Sequence, residues 1–65
     1  MRLVVNGEER IAESTTLSDL VSEFGLASQL VVAEVNGTII DRVDWEATSL
    51  SEGMKIELVH FVGGG

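Results

Sequence analysis

Met54-Lys55-Ile56-Glu57-Leu58-Val59-His60-Phe61 is the longest strand-like run in the chain, and it leads straight into Val62-Gly63-Gly64-Gly65. Successive side chains of a strand point to opposite faces. Ile56 and Leu58 therefore fall on one face, and Glu57, Val59 and Phe61 on the other. No proline, charge or helix signal separates the strand from the glycines. Glycine has no Cβ, so the segment carries little bulk and few conformational restrictions. Residues 61–65 reach about 17 Å when extended, at roughly 3.3–3.6 Å each. A slim tether of that reach, ending in a carboxylate, suits insertion into a narrow channel of another protein. The Gly65 carboxylate is the expected reactive group, with Gly63 and Gly64 as the part that enters the partner. Glycine-rich ends also occur as linkers and cloning scars, so the tail alone leaves both readings open.

Upstream, Arg2-Leu3-Val4-Val5 is a short β-branched run ending at Asn6-Gly7, and Glu8 to Ala12 is expected to return as its partner. Asn-Gly favours a two-residue hairpin because both central residues of a type I′ turn need positive φ. Leu3, Val5 and Ile11 are expected in the core, with Arg2, Glu9 and Arg10 solvated. Thr16, followed three residues on by Asp19, resembles a capping box and marks a helix start. Leu17, Leu20, Val21 and Phe24 follow i, i+3, i+4, i+7, one apolar stripe. The helix is expected over Leu17–Phe24, with Gly25 closing it. So short a helix must lie across a sheet to be stable. Leu30 to Val35 is the third strand, a second Asn-Gly follows at Asn36-Gly37, and Thr38-Ile39-Ile40 is the fourth. Asp41 to Thr48 is expected as a helical turn or coil, with Trp45 over the core edge. Ser51-Glu52-Gly53 is a turn before the last strand.

Strands before and after one helix indicate an α+β fold, a small mixed sheet covered on one face. The helical crossover allows the first and fifth strands to pair in parallel at the centre. At 65 residues there is room for one domain, globular over 1–60 with an extended tail over 61–65. So small a core leaves little to hold open a deep substrate cleft, which argues against a self-contained enzyme.

The net charge of −7, from eleven acidic and four basic residues, opposes phosphate-backbone binding and favours a basic partner surface. There is no cysteine, hence no disulfide and no thiol nucleophile. No apolar run approaches the roughly 20 residues that span a bilayer, and the first residues do not read as a signal peptide. A cytoplasmic protein is the expectation. His60 is the only histidine, with no orienting partner in view, and reads as a strand-end residue rather than a general base. Asp41, Asp44 and Glu46 lack the spacing of a calcium loop, so no metal site is assigned. No glycine-rich loop opens a helix to hold phosphate. Val59 and Phe61, apolar and beside the tail, are expected to form a partner-binding surface with Val62, joined by Val4 and Val32.

Several short motifs stand together in order: Val4-Val5-Asn6-Gly7-Glu8, Thr15-Thr16-Leu17, Val35-Asn36-Gly37, Asp44-Trp45-Glu46 with Leu50, Glu52-Gly53, and the Gly64-Gly65 end. With them the chain resembles, over essentially all its length, the ubiquitin-like sulfur carrier proteins of thiamine thiazole biosynthesis (ThiS family). It departs at Gly53-Met54, where the family often has Gly-Asp, and at Asp41, near the place of a usual proline. The resemblance implies a ubiquitin-like β-grasp fold and a carrier rather than an enzyme. A ubiquitin-activating-like adenylyltransferase would adenylate the Gly65 carboxylate with ATP, and the carrier itself would bind no cofactor. Sulfur from cysteine, through a cysteine desulfurase or another donor, would replace AMP to leave a thiocarboxylate for a thiazole synthase. The alternatives are the same chemistry for another acceptor, such as molybdopterin or a thiolated tRNA, or a non-covalent β-grasp interaction module with an inert tail.

Overall fold

A computed structural model describes residues 1–61. The elements are β1 (Arg2–Val5), β2 (Glu8–Ile11), α1 (Leu17–Glu23), a 3-10 turn at Ser28–Leu30, β3 (Val31–Val35), β4 (Thr38–Ile40), a longer 3-10 segment at Arg42–Ala47, and β5 (Lys55–His60). The five strands form one sheet in the order β2-β1-β5-β3-β4. β5 is central, parallel to β1 and antiparallel to β3, while β1–β2 and β3–β4 are antiparallel hairpins. This is the mixed sheet with a parallel central pair that the crossover helix allows.

Both hairpins turn on their Asn-Gly pairs. Asn6 and Gly7 have φ of 52° and 79°, and Asn36 and Gly37 have 49° and 88°, the positive values that a type I′ turn requires. Thr16 caps α1 by accepting the Asp19 N–H on its hydroxyl at 3.1 Å. The helix ends one residue before the expected Phe24, which is its C-cap. Gly25 follows at φ 71°, and the Leu26 N–H returns to the Val21 carbonyl at 3.2 Å, as a glycine C-terminal motif provides. Leu17, Leu20 and Val21 press the helix onto Leu3, Val5, Ala33, Ile56 and Leu58 of the sheet, all buried.

Three expectations are corrected. Ile11 is 77% exposed rather than in the core. The two-residue turn pairs Val5 with Glu8, which sets Arg10 opposite Leu3 and Ile11 opposite Arg2. Directly opposed residues share a face, so Ile11 sits on the outer face and Ala12 is buried instead. Arg10 falls on the helix side, its guanidinium 5.6 Å from the Phe24 ring centroid, so it covers the core edge with its charge still partly in solvent. Leu30 belongs to a 3-10 turn and not to β3. Trp45 is a core residue, 3% exposed, with its indole N–H donating to the Ile40 carbonyl at 2.9 Å. That bond satisfies the ring's polar atom inside and permits full burial.

Candidate docking surface and tail exit

The outer face of the sheet carries no helix. Strand parity sends Ile56 and Leu58 inward, 1% and 6% exposed, and Val59 outward, 50% exposed. Phe61, beyond the end of β5, is 54% exposed. Its N–H still donates to the Leu30 carbonyl at 2.7 Å, so the chain is tied to the sheet up to this residue. Val32 lies directly opposite Val59 and is also partly exposed. Val59, Phe61 and Val32 make an exposed apolar patch where the last strand ends. Val4 does not join them. It is half-buried and opposite Lys55, four residues down the sheet from Val59, or about 13 Å at roughly 3.3 Å per residue. Val62, Gly63, Gly64 and Gly65, assigned above to partner binding and to the reactive end, lie outside the described residues.

Directly below the apolar trio, Glu34 opposes Glu57 on the same outer face. Like charges in that relation repel, so the patch has an anionic border that no local motif announces. His60 opposes Val31 and is exposed. Among the described residues there is no pocket and no group of three metal-ligating side chains.

The central strand is gripped from both sides by the two turn asparagines. Asn36 donates its N–H to the Lys55 carbonyl at 2.8 Å and accepts the Lys55 N–H on Oδ1 at 3.0 Å. Asn6 accepts the Leu58 N–H on Oδ1 at 2.8 Å and donates Nδ2 to the Leu58 carbonyl at 3.2 Å. An amide side chain carries one acceptor and two donors, so the Asn6 amide imitates a peptide group of a neighbouring strand, whereas Asn36 pairs its own backbone N–H with its side-chain oxygen to the same end. Sequence reasoning saw these residues only as turn formers, because the partner strand is remote in sequence. Behind the helix, Ser14 donates its N–H to Glu23 Oε1 at 3.1 Å, and its hydroxyl bonds the same oxygen. The Ser14 hydroxyl, foremost among several contacts, holds the Glu23 carboxyl below its ordinary pKa.

A helix laid across a five-stranded mixed sheet with a parallel central pair, and an apolar patch where the last strand leaves it, define a ubiquitin-like β-grasp domain. The ThiS family model matches residues 2–65, and the chain belongs to that family. A sulfur carrier protein ThiS of Bacillus subtilis is 36% identical over 53 residues, covering 82% of this chain and 80% of that protein. A thiazole synthase of Paramagnetospirillum magneticum is 39% identical over 66 residues and takes in the whole chain, which spans only 20% of that protein's length. The crystal structure of a thiamine biosynthesis protein (ThiS) from Geobacter metallireducens superposes with a TM-score of 0.84 at 30% identity, covering 100% of both chains.

Proposed function

We propose that this chain is a sulfur carrier for thiamine thiazole synthesis, with the Gly65 carboxylate as the carrying group. The observation that carries the reading is the ThiS family match over residues 2–65, which includes the glycine end. The likeness to a sulfur carrier and to a segment of a thiazole synthase supports the pathway. A carboxylate is a poor acyl electrophile until it bears a leaving group. An adenylyltransferase therefore joins the Gly65 carboxylate to the α-phosphate of ATP and releases pyrophosphate. The terminal sulfur of a persulfide, formed from cysteine by a desulfurase, attacks the acyl carbon and expels AMP. A thiol then reduces the S–S bond of the resulting acyl disulfide, is itself oxidised to a disulfide, and leaves a thiocarboxylate that a thiazole synthase consumes. The absence of cysteine means that the sulfur comes from those partners. Val59, Phe61 and Val62 form the surface on which they dock, and Gly63 and Gly64 enter their active sites.

Intact-mass analysis of protein isolated from its native host tests this. The expected species is heavier by the exchange of one oxygen for sulfur, localised to the last residue. An unmodified end after incubation with ATP, the cognate adenylyltransferase and a sulfur donor overturns the carrier reading. Removing Gly65 separates it from the non-covalent alternative, since a carrier then loses adenylation while an interaction module keeps its partner. Feeding the thiocarboxylate form to a thiazole synthase, a molybdopterin-forming enzyme and a tRNA thiolase identifies the acceptor.

A further inference from the structure

β1 gives β5 only two paired positions, Val4 with Lys55 and Val5 with Ile56. The chain then leaves the sheet at Asn6, whose positive φ starts the turn. β5 continues for four more residues. In a strand, alternate residues aim their N–H and C=O to alternate sides. Lys55 bonds Asn36 and Phe61 bonds Leu30 on the β3 side. The Ile56 carbonyl accepts from Asn6 N–H on the other side at 2.9 Å, so Leu58 also faces that side, beyond the reach of β1. Its two backbone groups would form an open edge there. The Asn6 side chain supplies the missing rung, donor to acceptor and acceptor to donor.

We infer that Asn6 is a positioning residue for the tail. It holds Leu58 on the side that β1 no longer reaches, while the Leu30 carbonyl holds Phe61 on the β3 side, and together these bonds fix the direction in which the central strand approaches its end. The inference rests on the carrier reading, because only a chain whose end must reach a reacting atom gains from a fixed point of departure. The chemistry selects asparagine in two ways. Its short polar side chain tolerates positive φ, and its amide offers both a donor and an acceptor. Aspartate keeps the turn but sets a carboxylate oxygen against the Leu58 carbonyl. Glycine keeps the turn and removes the rung.

The test compares Asn6→Gly and Asn6→Asp with Asn36→Gly, which removes a side-chain bond at the far end of the same strand. Adenylation by the cognate adenylyltransferase is measured where each variant is fully folded by circular dichroism, with amide exchange at Leu58 alongside. Asn6→Gly should lower kcat/KM about tenfold, a smaller loss than the roughly hundredfold that a misplacement of about 1 Å of a reacting group can cost, with Asn6→Asp in between. Asn36→Gly should change kcat/KM less than twofold while lowering the melting temperature. If Asn6→Gly and Asn36→Gly reduce kcat/KM equally, the residue is structural only and the inference falls. It falls equally if Leu58 N–H in the unsubstituted protein exchanges as fast as a free edge amide, a result that needs no variant to fold. Lack of adenylation of the unsubstituted protein would strike the carrier reading instead.

Discussion

Replacing Val59 with glutamate separates docking from folding, because the residue lies on the central strand yet faces away from the core. Half of its surface is still exposed. Full burial of a valine side chain contributes about 1.5–3 kcal/mol, so covering the remaining half under a partner contributes about 1 kcal/mol. A carboxylate trapped in that contact without a hydrogen-bonding partner adds a penalty of about 1–3 kcal/mol. At 1.4 kcal/mol per tenfold, affinity for the adenylyltransferase should fall at least about twentyfold. The loss should come despite the added negative charge, which by itself would favour a basic partner. Within the free domain the change removes the contact with Val32 across the strands and sets a third carboxylate beside Glu34 and Glu57, each costing up to about 1 kcal/mol, so the melting temperature should drop by no more than about 16 °C. Leu58→Glu is the control, because its carboxylate would be buried in the core and should abolish folding. Calorimetric titration of the adenylyltransferase with each variant, beside thermal melts, reads both quantities. Unchanged affinity for Val59→Glu would remove the patch from the docking surface. Loss of folding comparable to Leu58→Glu would show that the strand's two faces are assigned the wrong way round.

Trp45→Phe shrinks a buried side chain and removes the hydrogen bond that its indole donates to the Ile40 carbonyl. It should cost about 1–3 kcal/mol, read as a lower midpoint in urea with unchanged slope. Glu23 is held below its ordinary pKa, so its contribution to stability is present above about pH 4.5 and is lost as pH falls through the lowered folded value. Ser14→Ala should therefore reduce stability at neutral pH, and its difference from the unsubstituted protein should shrink in melts below about pH 4.5. A constant difference across that range would assign the loss to packing alone. Gly64→Ala should weaken adenylation and sulfur transfer while leaving the melting temperature in place, and a sharp thermal loss with intact activation would remove residue 64 from the tail.

The features legible in the sequence were those whose cause is local. The Asn-Gly turns, the Thr16 cap, the apolar stripe of α1 and the inward Ile56 and Leu58 each depend on residues a few positions apart. Ile11 was misplaced because its face is decided by how the hairpin pairs, and a shift of one position reverses every side chain of a strand. Trp45 stood among polar neighbours, and only the carbonyl that meets its indole N–H explains its burial. The outer apolar pair of Val59 and Phe61 followed from alternation alone. The opposed Glu34 and Glu57, and the amide of Asn6 beside Leu58, exist only once strands distant in the chain are set side by side.

The parallel central pair has a practical consequence for handling the protein. Because β1 and β5 run the same way, with Val4 level with Lys55, Met1 and Phe61 lie at opposite ends of the sheet, about 30 Å apart along the strands for nine residue steps of roughly 3.3 Å. An affinity handle or fluorescent group attached ahead of Met1 stays clear of Phe61 and the apolar patch beside it. Met1 nitrogen keeps a hydrogen to donate to the Ala12 carbonyl after conversion to an amide. Labels placed at this pole can report encounters at the other without obstructing them.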